Sequence, residues 1–128
     1  MRKFQTGVPL LIALMLVPAA PALAVKDGHY LGEFKDDPTA TVDLEVTGGG
    51  DEVTGEFHDV LLKCNDGSKV RGDFLFSGVV IRDGKFFIKA SNPFDVTGEF
   101  DGKRVSGKFF TKQDGCKTPH TGWKARLD

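Results

Sequence analysis

Short runs of alternating apolar and polar residues follow one another from residue 28 to the end of the chain. The clearest run is Ala40 to Thr47, where Val42, Leu44 and Val46 alternate with polar residues. A period of two is typical of a β-strand with one buried face. Gly- and Asp-rich turns separate the runs. The pattern predicts an all-β domain of eight or nine short antiparallel strands, with no amphipathic helix after residue 24.

A five-residue pattern, apolar-x-Gly-x-aromatic, is repeated along these runs, with copies that begin at Tyr30, Val53, Val70, Val96 and Val105. All three marked residues of a copy share one strand face. Because an inward glycine usually marks a bend or a close approach, we expect each to make room for a neighbouring ring and to let the sheet curl. The pattern favours a small antiparallel up-and-down β-barrel, closed or nearly closed, with the first strand beside the last. A β-sandwich is the alternative.

The strongest turn signal is Asp101-Gly102, which predicts a two-residue hairpin. Pairing around that turn places Gly98 opposite Val105 and Val96 opposite Gly107. The outward positions of the same two strands then carry opposite charges and hydroxyls. A slip of one residue would bury these polar side chains, so the faces are strongly specified.

Two further irregularities are predicted between the strands. Asp83-Gly84 indicates a tight hairpin in which Val79 and Ile81 face Phe86 and Ile88. At His58-Asp59 the alternation changes phase, which predicts a β-bulge that returns the following apolar residues to the inner face.

The first 24 residues have the features of a secretory signal peptide. Arg2 and Lys3 precede an apolar run from Val8 to Val17, and Ala22-Leu23-Ala24 fits a small-x-small cleavage site. The run is short for a membrane span, so a cleaved signal is favoured over a retained anchor. We expect residues 25–128 to form a single domain, secreted or periplasmic, with no membrane span after cleavage.

Cys64 and Cys116 are the only cysteines. In an exported chain they are expected to form a disulfide, because that environment is oxidising. A redox or metal role is the alternative, and the lack of a C-x-x-C motif disfavours it.

Charge and chemistry narrow the possible functions. After cleavage, 15 basic residues face 18 acidic ones, a formal charge of −3. This disfavours nucleic acid as a partner. His29, His58 and His120 are isolated on separate strands, so a zinc site would need three strands to converge. No serine lies in a Gly-x-Ser-x-Gly elbow. We expect no enzymatic activity and no cofactor.

The high number of phenylalanines is the most informative feature of the composition. Alternation makes Phe87 and Phe110 outward if Phe86 and Phe109 are inward, and Val80 is the predicted neighbour of Phe87. Val80, Phe87 and Phe110 are therefore a candidate interaction patch. The alternative is that these rings are buried against a loop or a second layer.

Two resemblances carry further expectations. The opening Gly28-His29-Tyr30-Leu31-Gly32, the central Cys64 and the segment from Cys116 to Ala125 resemble a group of short secreted bacterial β proteins with no assigned activity. Gly28-x-Tyr30 with Arg126 in the last strand is similar to lipocalin and avidin-like barrels, and this similarity implies a bound small molecule.

The leading hypothesis is an exported, non-enzymatic binding or interaction domain. Its partner would be another protein, an envelope component or a second copy of the chain. The alternative is a barrel that holds a small apolar ligand. A metal-dependent or hydrolytic enzyme is the third hypothesis.

Overall fold

The computed structural model describes residues 24–89 and 94–128. Within these two ranges the regular structure is entirely β, which confirms the predicted class. The predicted signal peptide, apart from Ala24, lies outside the described residues. The ten described strands are β1 (Gly28–Phe34), β2 (Asp37–Thr47), β3 (Glu52–Cys64), β4 (Lys69–Val80), β5 (Lys85–Ile88), β6 (Asp95–Asp101), β7 (Arg104–Phe110), β8 (Lys112–Gln113), β9 (Cys116–Lys117) and β10 (Gly122–Leu127).

All described strands belong to one antiparallel sheet. Its order is β5-β6-β7-β10-β1-β2-β3-β9-β8, and β4 pairs with the other side of β3. The last strand lies beside the first, with Trp123 opposite Phe34 and Leu127 opposite Tyr30. The predicted meander is confirmed in this respect. The two extra strands are the two-residue β8 and β9, which form a small hairpin over the end of β3.

The sheet is not closed. Backbone pairing runs without interruption from β5 to β4, but no described pairing joins the outer edges of these two strands. Beyond the tight turn, where Arg82 pairs with Lys85, β4 stays with β3 and β5 pairs with β6. The predicted pairing of Val79 with the β5 strand is therefore wrong, although the turn itself is correct.

Aromatic rings fill the space enclosed by the curled sheet. Phe57 is central: its ring centroid lies 4.8 Å from that of Phe109 and 5.5 Å from that of Trp123. Tyr30 and Phe100 meet edge to face at 5.3 Å. Aliphatic side chains from β2, β3, β6 and β7 complete this core. The largest fully buried side chains are Trp123, Tyr30, Phe34, Phe57, Phe86, Phe109, Leu44, Val42, Val46, Val53, Val60 and Val96.

Two inward glycines show how the repeated pattern works. A Cβ on Gly98 would lie 2.2 Å from the ring of Phe86, so this glycine makes room for a ring of the adjacent strand, as predicted. A Cβ on Gly107 would instead lie 1.8 Å from the carbonyl oxygen of Thr97, which is backbone. The second glycine permits the close approach of a neighbouring backbone rather than the insertion of a ring.

The β6–β7 hairpin differs from the predicted register. Gly98 lies opposite Gly107, and Asp101 lies opposite Arg104, so the turn residues are Gly102-Lys103. Gly102 has a φ of 63°, while Lys103 is not in the positive-φ region, which is the pattern of a type II′ turn. Because the sum of the paired residue numbers changes by two, every side chain stays on its predicted face. The type I′ Asp-Gly turn occurs instead at Asp83-Gly84, where both φ angles are positive.

The predicted bulge after His58 is confirmed. The pairing of β3 with β4 shifts between Phe57 and Val60, and Asp59 has a φ of 55°. The guanidinium of Arg71 donates a hydrogen bond to the carbonyl oxygen of Asp59 at 2.7 Å and another to the carboxylate of Asp37 at 3.0 Å. These contacts hold the left-handed residue in place and return Val60 to the interior.

The disulfide between Cys64 and Cys116 is present, as predicted. Cys116 also pairs through its backbone with Cys64, so the bond fixes β9 to the last residues of β3. It closes a loop with a sequence separation of 52 residues. The bond therefore anchors the β8–β9 hairpin, whose two strands have only two residues each.

Candidate functional site: an open sheet edge with exposed apolar side chains

The outer edge of β4 is the least covered part of the described sheet. The strand is 12 residues long, and none of its side chains is fully buried. One of its edges pairs with β3, and no described strand pairs with the other. Unpaired N–H and C=O groups on such an edge are a template for another β-strand. The opposite margin of the sheet is β5, whose four residues pair with β6, and whose first residue, Lys85, also pairs with Arg82 across the turn.

Exposed apolar side chains flank this opening. The predicted patch residues are all exposed: Val80 by 51%, Phe87 by 60% and Phe110 by 39%. They do not form one continuous surface through strand pairing. Val80 lies opposite Glu52 on β3, and Phe87 lies opposite Thr97 on β6. The pairing of Val80 with Phe87 is therefore absent, and the two side chains lie on the two strands that border the opening.

Leu75 is the largest omission from the predicted patch. It is 62% exposed, the most of any described large apolar residue, and lies in the middle of β4. The sequence contained the signal, because Leu75 stands between the inward residues Phe74 and Phe76 and must point outward. With Val80 on the same strand, it gives the outer face of β4 two exposed apolar side chains beside the polar Asp73 and Ser77.

Inside the opening, side chains rather than backbone join the two margins. The rings of Phe76 on β4 and Phe86 on β5 stack with centroids 5.9 Å apart, and those of Phe74 and Phe94 meet at 5.6 Å. The interior at this seam is therefore occupied by the protein's own rings.

The two halves of the chain differ in charge, which a count over the whole sequence does not reveal. Residues 26–73 contain twelve acidic and five basic side chains, a formal charge of −7. Residues 82–128 contain six acidic and ten basic side chains, a formal charge of +4. The strands β1 to β4 are thus acidic and the strands β5 to β10 basic, so the opening lies where the two halves meet.

Histidines on the acidic half contact carboxylates. The imidazole of His29 lies 3.6 Å from Asp43 and 3.7 Å from Glu45. His58 lies 3.0 Å from Glu56 and 3.7 Å from Asp73. These contacts bring together residues that the sequence left isolated. They do not gather metal ligands, since the described part of the chain holds no group of three or more His, Cys, Asp or Glu side chains suited to a metal ion.

A shallow groove of about 600 Å³ crosses the outer side of β6, β7, β10 and β1. Arg104 and Arg126 lie directly opposite each other in it. Lysines and carboxylates alternate around the rest of its lining. Because four basic and three acidic side chains share the groove, it selects no single sign of ligand charge.

Two side chains have shifted acidities. Burial raises the pKa of the Tyr30 phenol, an effect partly offset by its hydrogen bond to the carbonyl oxygen of Lys26 at 2.7 Å. Hydrogen bonds from Ser68 lower the pKa of the exposed Asp66 carboxyl. Tyr30 is a core residue and Asp66 is a loop residue. Neither shift produces an acid or a base suited to catalysis near neutral pH.

Comparison with known proteins identifies no relative: no family model, curated protein or solved structure matches this chain. Across residues 24–89 and 94–128, no helix has the length and apolar character needed to span a membrane. The two resemblances noted in the sequence remain expectations.

Proposed function

We propose that this protein is an exported, non-enzymatic interaction domain that binds a protein or envelope component at the opening between β4 and β5. The observation that carries the proposal is that a sheet edge without a partner strand in the described residues lies beside exposed apolar side chains. Leu75 and Val80 lie on one margin of the opening and Phe87 on the other. Exposed apolar surface of this kind often marks a contact site.

Export supports the choice of an extracytoplasmic partner. The disulfide between Cys64 and Cys116 is consistent with an oxidising compartment, and the sequence of the first 24 residues is that of a cleavable signal. We place the mature protein, residues 25–128, outside the cytoplasm of a bacterium, either secreted or in the periplasm.

The finer architecture that we propose is an eight-strand up-and-down barrel with one unpaired seam. The strands β5-β6-β7-β10-β1-β2-β3-β4 follow the order of such a barrel, and the seam falls between β4 and β5. Stacking of Phe76 on Phe86 supports this view, because it brings the two margins together through side chains.

The packed interior is the reason for placing the small-ligand alternative second. A hollow barrel offers a ligand an apolar cavity, whereas here Tyr30, Phe57 and Phe100 occupy the centre. The resemblance to lipocalin and avidin-like barrels is thus a weaker guide to function than the surface.

Site-directed photocrosslinking in the exporting host tests the proposal. A photoreactive phenylalanine analogue replaces Phe87, and in a separate strain it replaces Leu31, which is also an outward apolar residue but lies on the fully paired strand β1. We expect a discrete adduct from position 87 that is lost with Val80→Ser, and none from position 31. Equal labelling at both positions, or no adduct at position 87, would refute the proposed site.

A further inference from the structure

The free edge of β4 has a nearly symmetric sequence. From Gly72 to Gly78 it reads Gly-Asp-Phe-Leu-Phe-Ser-Gly, with Leu75 at the centre. Phenylalanines flank the leucine on both sides, short polar residues follow, and glycines end the segment. Seven residues is an ordinary length for a strand. A segment of this kind matches itself when it is reversed, so antiparallel pairing with its own copy would place similar side chains opposite each other.

The directions of the side chains preserve this match in three dimensions. Leu75 points outward and is 62% exposed, while Phe74 and Phe76 are half-buried on the inner side. The symmetric segment ends where the strand becomes irregular. At Gly78 the φ is +64°, and the N–H group donates to the hydroxyl of Thr54 at 3.1 Å. The symmetric segment therefore ends at this irregularity on one side, while on the other side the strand continues to Lys69.

We propose that a second copy of the chain pairs with this edge, antiparallel, with the two-fold axis at Leu75. In this register Leu75 faces its counterpart on the outer side, and Phe74 faces the other copy's Phe76 on the inner side. Asp73 lies opposite the other copy's Ser77, whose hydroxyl can donate to the carboxylate. The sheets of the two molecules become continuous across a two-fold interface, the commonest symmetry of protein dimers.

The charges along this segment also favour a second copy of the chain as the partner. Sheet edges that avoid pairing usually carry lysines, prolines or inward charges. Between Gly72 and Gly78 the only charged residue is Asp73, and the two-fold arrangement keeps the two copies of it apart at opposite ends of the segment. The apolar centre thus meets an apolar centre, and no like charges are directly opposed.

This inference rests on the proposed function, which it deepens by naming the partner of the β4 edge. The two can fail separately. The crosslinking at Phe87 concerns a side chain on the other margin of the opening, whereas self-pairing depends on Gly72–Gly78 alone. A Phe87→Ser variant should therefore dimerise as the wild type does.

Native mass spectrometry and analytical ultracentrifugation of purified residues 25–128, across a dilution series, test the self-association. We expect a monomer–dimer equilibrium. Leu75→Lys should raise the dissociation constant about tenfold or more, because it places two lysines directly opposite each other. The matched control is Leu31→Lys, an equally drastic change at an exposed position that is not on an edge, which should leave the equilibrium unchanged.

A cysteine pair fixes the register. Both natural cysteines are in the disulfide, so a new thiol is the only free one in the described residues. Leu75→Cys should crosslink to its own copy under mild oxidation. Ser77→Cys should not, since the two copies of residue 77 would lie four positions apart, about 13 Å, which is beyond the reach of a disulfide.

Three outcomes would overturn the proposal. The first is a wild type that stays monomeric at every concentration, as it would if another part of the chain covered the edge. The second is a dimer that Leu75→Lys and Leu31→Lys weaken equally. The third is a Ser77→Cys crosslink that forms as readily as the Leu75→Cys one. If the wild type is monomeric but the adduct at Phe87 persists, the self-pairing is wrong and the proposed function stands.

Discussion

The contact between Gly98 and Phe86 gives the sharpest test of how this sheet is built. These residues lie directly opposite each other on β6 and β5, and the ring covers the glycine. Gly98→Ala would place its Cβ 2.2 Å from the ring. Ordinary carbon contacts lie near 3.5–4.0 Å, so the ring must move by roughly 1.5 Å.

Phe86 has little freedom to make that movement. It is only 2% exposed, and its ring packs against Phe76, Phe100 and Trp123. Overpacking of this kind costs about 1–3 kcal/mol. The loss of unfolded-state entropy on changing glycine to alanine offsets about 0.4–1 kcal/mol. We therefore expect Gly98→Ala to lower the free energy of unfolding by about 1.3 kcal/mol, the difference between the midpoints of these two ranges.

Gly72→Ala is the matched control, because Gly72 belongs to another copy of the same apolar-x-Gly-x-aromatic pattern. Its Cβ would lie 3.6 Å from the nearest atom, on the Phe74 ring, which is an ordinary contact. The entropic gain then has no opposing strain, and this variant should be as stable as the wild type or more so. Urea unfolding followed by the fluorescence of Trp123, the single tryptophan, measures both.

Two results would refute this reasoning. One is a Gly98→Ala variant as stable as the wild type, and the other is a Gly72→Ala variant destabilised to the same degree. A double-mutant cycle adds a positive test. Combining Gly98→Ala with Phe86→Leu should cost less than the sum of the single changes, by about 0.5 kcal/mol or more.

Three further predictions concern the disulfide and two residues of the core. Replacing Cys64 and Cys116 with alanine should lower the free energy of unfolding by up to about 4 kcal/mol, the value that the chain-entropy model gives for this loop. Urea titrations measure the loss, and unchanged stability would contradict the prediction. Tyr30, the single tyrosine, should titrate above the free phenol in absorbance titrations, because burial raises its pKa. Its contribution to stability is full below about pH 10 and is lost as the pH rises through the folded-state pKa, so Tyr30→Phe should flatten the alkaline fall in melting temperature. The buried indole N–H of Trp123 has no hydrogen-bond partner in the described residues. Trp123→Phe should therefore lower the stability only by the cost of the side-chain volume that it removes. A larger loss of stability in thermal unfolding would show that the N–H group also contributes, and would contradict the prediction.

The hairpin between β6 and β7 shows the limit of turn signals. Asp101-Gly102 is an excellent two-residue turn, yet the chain turns at Gly102-Lys103. Either turn leaves each side chain on the same face, so the hydrophobic pattern cannot distinguish them. The observed register instead pairs Gly98 with Gly107, where the backbones of the two strands approach closely. That choice depends on neighbouring strands that the local sequence does not specify.

The exposed patch likewise contains one feature that the sequence pattern predicts and one that it does not. Alternation was enough to turn Val80, Phe87 and Phe110 outward, and applied to β4 it would have added Leu75. The opening beside them was not predictable, because a tight turn at Asp83-Gly84 normally continues into a paired hairpin. Here β5 pairs with β6, and its ring Phe86 enters the core above Gly98.

The sequence by itself determined the all-β class, the side chains that face inward, the bulge after His58 and the pairing of Cys64 with Cys116. These follow from simple rules: a period of two, a change of phase, and the presence of just two cysteines in a chain whose first residues predict export. Only the tertiary structure decided where the sheet stays open, which glycines make room for a ring and which for a neighbouring backbone, and which margin is left without a partner among the described residues. Those features depend on how distant strands share one aromatic interior, where a single ring can occupy each space.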